Sequence, residues 1–414
     1  MATRPRRVGL LHYTCPPVIG GVETILYEQA RRLAARGHSI TVISGRGGPL
    51  PEDDGIRLAI IPQLDSRDAQ VTDVRERLMK GQVPEDFAPL RDRIQRELAP
   101  IMDELDVLIV HNALSLHFNL PLTAALWSMA QRPAPRIIAW IHDLSWVNPL
   151  YRPQMHPGEP WDLLRRTNPH IAPVFVSAQR MLEWQELTTT NVDDRQVIPN
   201  GIDPATLLRL GPRSLELARD LHLLEGDIIL LAPVRITRRK QLEWAIEAAA
   251  GVRDSGERVQ LLITGPPGPH DPHSMEYVAE LKALAARLHL ETAVHFLFER
   301  STANRAGYAV DAATLSDLYM LSDVVVLPSD SEGFGLPLAE AAIFRAPVVC
   351  TDVPAFLELA REGVVIVQRT TGSAGFTAGV LQAVNSSRAR LRRDVLTRLS
   401  WDRIIADRIE PLLG

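Results

Sequence analysis

Glu332 and Glu340 are two carboxylates with seven residues between them, set around the glycines of Ser331-Glu-Gly-Phe-Gly-Leu-Pro-Leu-Ala-Glu340. An apolar run, Asp323-Val-Val-Val-Leu-Pro328, precedes them, and the helix-forming Ala339–Arg345 follows. The pattern predicts a strand, a glycine loop and a helix. Gly333 and Gly335 leave backbone N–H groups open at the helix start, where phosphate or sugar oxygens are favoured. A carboxylate carries two acceptor oxygens and suits vicinal hydroxyls. Glu332 can then read sugar hydroxyls, and Glu340, about one turn into the helix, a ribose diol. The plainer alternative makes Glu332 a cap and Glu340 a surface residue.

Three other stretches carry candidate chemistry. In Pro233-Val-Arg-Ile-Thr-Arg-Arg-Lys240, Arg235 and Lys240 follow a buried-type strand. Two cations there can clamp a diphosphate and offset the charge of a departing one. Arg238 and Arg239 read as solvated. In Cys15-Pro-Pro-Val-Ile-Gly-Gly-Val-Glu23, Gly20 and Gly21 sit before a helix N-terminus, a place for an anion or simply a tight turn. The three-glycine dinucleotide fingerprint is absent, which argues against a dehydrogenase. Ile137-Ile-Ala-Trp-Ile-His142-Asp143 ends a strand with a histidine, which from a parallel strand points into the usual ligand crevice. His111 is a weaker candidate of the same kind, and a packed histidine is the ordinary alternative for either. No His/Cys/Asp/Glu group has metal spacing, and no nucleophile-elbow serine is present.

These residues need strand ends to hold them. Val8–Leu11, Ser39–Ile43, Val107–Val110, Ile137–Ile141 and Val174–Val176 read as strands, with Val22–Ala35 a helix between the first two. The alternation restarts with strand Ile228–Leu231 and helix Leu242–Ala250. Strands Val259–Thr264, Val294–Leu297, Val324–Leu327 and Pro347–Cys350 follow. Such β-α-β alternation predicts an α/β protein with parallel sheets, here two successive doubly wound units. The turn-rich Pro199-Asn-Gly-Ile-Asp-Pro204 marks the joint. Ser66–Pro100 is a polar, helix-prone insertion, and Leu144–Trp161 an irregular loop. Both are expected at the mouth of the first sheet.

Composition narrows the classes. A chain of 414 residues exceeds one ordinary core, and 46% hydrophobic with 23% charged residues is globular. A net charge of -5 gives no footprint for nucleic acid. Cys15 and Cys350 are too few for a disulfide framework and suit a reducing cytoplasm. The basic Met1–Arg7 is followed by an apolar run too short for a secretory segment, and no run approaches the length of a membrane span. Arg75–Glu97 interleaves arginines with acids and reads as a solvated helix, leaving peripheral membrane contact open.

Taken in order, these motifs resemble the retaining glycosyltransferases of family four, group 1 type, over essentially the whole chain. Gly20-Gly21-Val-Glu23 is similar to the family's glycine loop and His142-Asp143 to its strand-end histidine. Val197-Ile-Pro-Asn-Gly-Ile-Asp203 is similar to its connector, Arg235 and Lys240 to its basic pair, and Glu332 with Glu340 to its paired glutamates. Leu399-Ser-Trp401 resembles the start of its last helix. The resemblance implies the GT-B architecture: Rossmann-like domains over 1–203 and 204–395 facing a central cleft, and a C-terminal helix, 396–414, crossing back to the first. It implies a nucleotide-diphosphate sugar donor, a hydroxyl acceptor (a sugar, glycoside or lipid-linked molecule), front-face retention and no cofactor or metal. Glu340 would bind the ribose and Glu332 the donor sugar. The amides of Gly333, Phe334, Gly335 and Leu336 would face sugar and phosphate. Arg235 and Lys240 would hold the diphosphate, Gly20 and Gly21 would close on it, and His142 would lie near the sugar.

Thr264-Gly-Pro-Pro-Gly-Pro-His-Asp-Pro272 departs from the family's shorter turn, and Phe298 and Glu299 are placed to border the base. Tyr151, His156 and Trp161 are candidate acceptor residues, since aromatic faces stack on sugar rings, or else they pack their loop down. The donor stays open between GDP-mannose and UDP-glucose types, with a lean to GDP-mannose. Two other functions fit the same motifs: a nucleotide-sugar epimerase of this fold, and a non-catalytic nucleotide-sugar-binding subunit. The expected location is the cytoplasm, at most peripheral to the inner face of a membrane.

Overall fold

The computed structural model describes residues 4–50, 55–131, 134–268, 273–300, 310–360 and 363–414. The chain divides into two compact units, Met1–Gly201 with Trp401–Gly414, and Ile202–Ser400. Among the described residues, no helix is long and apolar enough to cross a membrane.

The first unit holds β1 (Arg7–Thr14), β2 (Ser39–Arg46), β3 (Arg57–Ile60), β4 (Val107–His111), β5 (Arg136–Ile141) and β6 (Ile171–Phe175). They form one sheet in the order β3-β2-β1-β4-β5-β6, every pair parallel. The central strands are buried on both faces, as the unbroken runs Val-Leu-Ile-Val in β4 and Ile-Ile-Ala-Trp-Ile in β5 require. Helix Gly21–Ala35 and the C-terminal segment cover one face, where Trp401, Ile404, Ile405, Ile409 and Leu413 join the core around Val8, Leu10 and Ile109. Gly201 lies against Trp401, where a Cβ would fall 2.3 Å from the indole.

Helices Ala69–Leu78, Phe87–Met102 and Leu120–Met129 cover the other face. Phe87, Leu90, Ile94, Leu98 and Met102 recur at helical spacing, and all are buried. The expected insertion at the sheet mouth is therefore the helical layer between β3 and β4. Its charged residues lie outward while one stripe enters the core. Leu144–Trp161 is irregular as expected, with only a short 3-10 turn at Arg152–Gln154 before another begins at Trp161.

The second unit repeats the plan with β7 (Ile228–Ala232), β8 (Val259–Ile263), β9 (Val294–Phe296), β10 (Val324–Leu327), β11 (Val348–Thr351) and β12 (Val364–Val367). The order is β12-β11-β10-β7-β8-β9, again all parallel. Both sheets have the doubly wound, Rossmann-like order. It reverses between β1 and β4 in the first unit and between β7 and β10 in the second, and ligands bind outside the carboxyl ends of strands at such points. The loops that begin at those four strand ends carry most of the candidate residues.

β3 and β12 are four-residue edge strands absent from the sequence reading. An edge strand pairs on one side only and needs no long apolar run, which fits Arg-Leu-Ala-Ile of β3; Val-Val-Ile-Val of β12 is unbroken and the reading passed over it. β6 begins three residues earlier than expected and contains Pro173, which an edge strand tolerates.

Candidate functional site

In the second unit, the loops after β7 and β10 are laced together. Arg239 accepts at its carbonyl from Asp330 N–H (2.8 Å), and its guanidinium donates to Ser331 O (3.0 Å). Lys240 ends the turn Arg238–Lys240 and pairs with Glu332 Oε1, and both side chains are only 7% exposed. Ser329 Oγ donates to the same carboxylate oxygen at 2.7 Å, while Arg239 approaches the other at 3.4 Å. Burial lowers the Lys240 ammonium from its ordinary range, and the hydrogen bond it donates to Glu332 opposes that shift. A buried cation–carboxylate pair at a strand end can exchange partners with a diphosphate and a sugar hydroxyl.

Beyond Glu332 the loop opens. Gly333 has open space where a Cβ would stand, and Phe334 is 59% exposed. Gly335 has φ +94° and caps helix Leu336–Ile343, and a Cβ there would come within 2.9 Å of Phe356. Its freedom thus serves backbone and packing, while Gly333 leaves the approach clear. Leu336 is exposed at the helix start. Glu340 is half-buried and accepts from Tyr319 Oη at 2.7 Å. Tyr319 is 2% exposed and stacks on Phe344, so it holds Glu340 in one orientation. Burial, then Glu340, pushes the Tyr319 phenol upward, so it remains a donor. Tyr319→Phe should therefore raise donor KM by about tenfold or more with little change in kcat, since one hydrogen bond to a charged group is worth about 1.5–3 kcal/mol and each 1.4 kcal/mol is about tenfold. Initial-rate kinetics would check this, and an unchanged KM would contradict it.

Arg235 is exposed and, among the described residues, makes no side-chain hydrogen bond or ion pair. Its backbone is held by the following strand's extension. Thr264 N donates to Ala232 O, Gly265 N to Val234 O and Gly268 N to Ile236 O, at 3.1–3.2 Å. The proline-rich stretch therefore runs beside the Arg235 loop as far as Gly268, and residues 269–272 lie outside the described residues. Arg238 faces away to Glu280 and over the Tyr277 ring. Glu299 pairs with Lys282 at 2.6 Å, and Phe298 packs on the core.

In the first unit, three histidines stand in line across the ends of β1, β4 and β5. His12 Nδ1 donates to His111 O at 3.0 Å, and His111 Nδ1 lies 3.1 Å from His142 Nε2. His142 N–H donates to the side chain of Asn112, a residue with φ +58°. Asp143 is occupied structurally by Arg180 and Asn148. Burial lowers all three histidines; His142 and His12 further lower His111, and His12 further lowers His142, to about 3. They stay neutral when folded, whereas the unfolded chain binds protons below pH 6.5. Stability is thus full above 6.5 and lost as pH falls below it, for His142 down to about 3. Six of the seven tryptophans lie in the first unit, so their fluorescence should report a melting midpoint that drops below pH 6.5. His142→Asn should flatten that drop, and an unchanged slope would contradict the assignment.

Gly20 is extended, and a Cβ there would lie 2.0 Å from Glu23 Oε2. Glu23 folds back beneath the start of its own helix, where negative charge is favoured, and accepts from Thr14 Oγ1 at 2.5 Å. Gly20 makes room for this carboxylate, while Gly21 has open space around it. Tyr151 is half-buried between His117 and Phe118. His156 Nε2 donates to Met79 O at 3.0 Å and meets Trp161 edge-on. Trp161 is 3% exposed and packs its loop onto the core, so it offers no ring face to an acceptor.

Residues 19–206 match the family model described as Glycosyltransferase Family 4, and residues 215–395 match that described as Glycosyl transferases group 1. The chain belongs to this glycosyltransferase family. Mannosylglucosylglycerate synthase of Petrotoga mobilis is 24% identical over 84% of this chain and 83% of that protein. D-inositol 3-phosphate glycosyltransferase of Stackebrandtia nassauensis is 26% identical over 84% of this chain and 76% of its own. Sucrose-phosphate synthase from Thermosynechococcus elongatus aligns over 96% of each chain with 16% identity and a TM-score of 0.37.

In the glycosyltransferase, the second unit brings Lys240, Glu332, Gly333, Gly335 and Glu340 onto the loops after β7 and β10. Ser329, Tyr319 and Arg239 escaped the sequence reading. Ser329 is adjacent to a recognised loop, and Arg239 is one residue before Lys240, so loop adjacency was the available signal for both. Arg239 is exposed, as a solvated cation is expected to be, and it also braces the loop through Ser331 O and Glu332. Tyr319 lies on a helix whose pattern is that of core packing, and its contact with Glu340 is visible only in three dimensions.

Proposed function

We propose that the chain is a retaining hexosyltransferase that moves a hexosyl group from a nucleotide-diphosphate sugar to a hydroxyl acceptor without a metal. The buried Lys240–Glu332 pair beside the open Gly333 carries this reading. Lys240 and the free Arg235 supply the positive charge that a departing nucleoside diphosphate needs. Glu332 receives the donor sugar's hydroxyls, and Glu340, held by Tyr319, the ribose diol. In the front-face reaction the anomeric carbon–phosphate oxygen bond breaks, the acceptor oxygen bonds the same face, and its proton passes to a phosphate oxygen of the leaving group. The chain's own groups bind, orient and neutralise, and no protein nucleophile takes part.

We read the donor as of GDP-mannose or UDP-glucose type, with a lean to GDP-mannose. The mannosyl product in the Petrotoga mobilis relative's name supports that lean. Thermal-shift titration with GDP, UDP and their sugars tests the reading. A ligand present at 100 times its Kd adds about 2.7 kcal/mol. One base series should stabilise the protein, and its sugar should then be transferred with retained anomeric configuration, read by proton NMR. Stabilisation by neither series, or an inverted product, would overturn the proposal.

A further inference from the structure

The line of histidines in the first unit has a direction. A carbonyl oxygen only accepts, so His12 carries its hydrogen on Nδ1, the atom 3.0 Å from His111 O. Between His111 Nδ1 and His142 Nε2, at 3.1 Å, one nitrogen must donate and the other accept. His111 is fully buried, and its Nε2 has no partner among the described residues. If His142 Nε2 were the donor, His111 would hold its own hydrogen on that buried Nε2, an orphan N–H of the kind folded proteins avoid most strictly. If His111 Nδ1 donates, the orphan is only a lone pair, and His142 carries its hydrogen on Nδ1. That atom has no partner among the described residues and is not enclosed. Asn112 fixes the backbone of His142 by accepting its N–H at 3.0 Å.

We infer that His111 is a positioning residue that sets the tautomer of His142, so that His142 presents Nδ1–H as a neutral hydrogen-bond donor to a ligand oxygen. The ligand atom is then an acceptor, either a sugar oxygen or a phosphate oxygen, and His142 is not a general base. The lowered proton affinity of both rings keeps the arrangement neutral across physiological pH. The groups facing it are His12, whose Nε2 lies 4.0 Å from Glu23, and the Trp140 ring. The part played by a ligand rests on the proposed transferase function, while the tautomer does not.

Two measurements test it. In the full-length protein with 15N-labelled histidine, long-range proton–nitrogen correlations at pH 7 should show His12, His111 and His142 each protonated at Nδ1. His111→Asn keeps a donor near the Nδ1 position, and His111→Phe removes it. His111→Phe should mix the His142 tautomers and lower kcat for nucleoside diphosphate release from GDP-mannose or UDP-glucose by about tenfold or more. Donor KM should change less, and His111→Asn should restore most of the rate. A wild-type His142 protonated at Nε2 overturns the inference, as does a His111→Phe protein with unmixed tautomer and normal kcat. If His142→Ala turns over normally while the wild-type tautomer is as stated, the ligand role falls and the positioning of His142 by His111 stands.

Discussion

Glu332→Ala is expected to lower transfer by about 100-fold or more and to destabilise the second unit more than Lys240→Ala does. The asymmetry follows from who remains. Without Lys240, the carboxylate of Glu332 keeps Ser329 at 2.7 Å and Arg239 at 3.4 Å. Without Glu332, the described residues leave Lys240 no other side-chain partner, and it is a buried cation. Breaking a buried pair by removing one member costs about 3–5 kcal/mol, because the other charge is left uncompensated. Glu332→Ala should fall in that range and Lys240→Ala below it. The double variant should be more stable than Glu332→Ala alone and no more active.

The pH dependence separates this from simple loss of packing. Burial already lowers the Lys240 pKa below its ordinary 10.5, and removing Glu332 removes the main opposing influence. The folded protein then binds fewer protons than the unfolded chain between the lowered value and 10.5. Stability of Glu332→Ala should therefore rise with pH through that window. Urea unfolding at several pH values, followed by far-UV circular dichroism, measures it. Near-normal turnover in both single variants would sink the site assignment, and a pH-independent loss would sink the account of the stability.

The second large effect concerns a glycine outside the binding loop. At Gly265, a Cβ would lie 2.1 Å from Val234 O and 2.5 Å from Arg235 Cα, both backbone atoms that no rotamer change can move. Gly265→Ala must push the Arg235 loop away from the extension of β8, disturbing the hydrogen bonds from Gly265 N and Ile236 N. Overpacking of this kind costs about 1–3 kcal/mol. The effect on rate should be larger than on stability, since a displacement of about 1 Å at a reacting site can cost about 100-fold. The expected variant is folded, melts several degrees lower and has kcat/KM reduced by about 100-fold. Gly333→Ala, with nothing near its Cβ, should be far milder in stability. Equal kcat/KM for Gly265→Ala and the parent protein would show that the Arg235 loop is not needed where it stands.

How much of this was legible beforehand depends on the range of the interaction. The buried parallel strands could be read because β4, β5, β7 and β10 are short, nearly unbroken apolar runs, a property of each strand alone. The edge strand β3, Arg-Leu-Ala-Ile, offers too short an apolar run to stand out, whereas β12, Val-Val-Ile-Val, carries the same signal as β10 and was passed over. Helix Phe87–Met102 was recognisable as a helix but not as a core layer, since its charged residues masked a narrow apolar stripe. The glycine loop, basic pair and glutamates were legible as residue types at fixed spacing within one segment.

By itself, the order of residues determined the α/β class, the repeat of a doubly wound plan and the segments with phosphate- and hydroxyl-binding chemistry. These follow from local periodicity and from groups placed a few residues apart. Tertiary structure alone decided which of those groups meet. It put Lys240 against Glu332 across 92 residues of chain and stood Tyr319 behind Glu340. It gave the room at Gly20 to Glu23 and aligned His12, His111 and His142 at three strand ends. The physical reason is that burial and pairing set each group's charge, tautomer and orientation. Both depend on neighbours that folding supplies and spacing along the chain does not reveal.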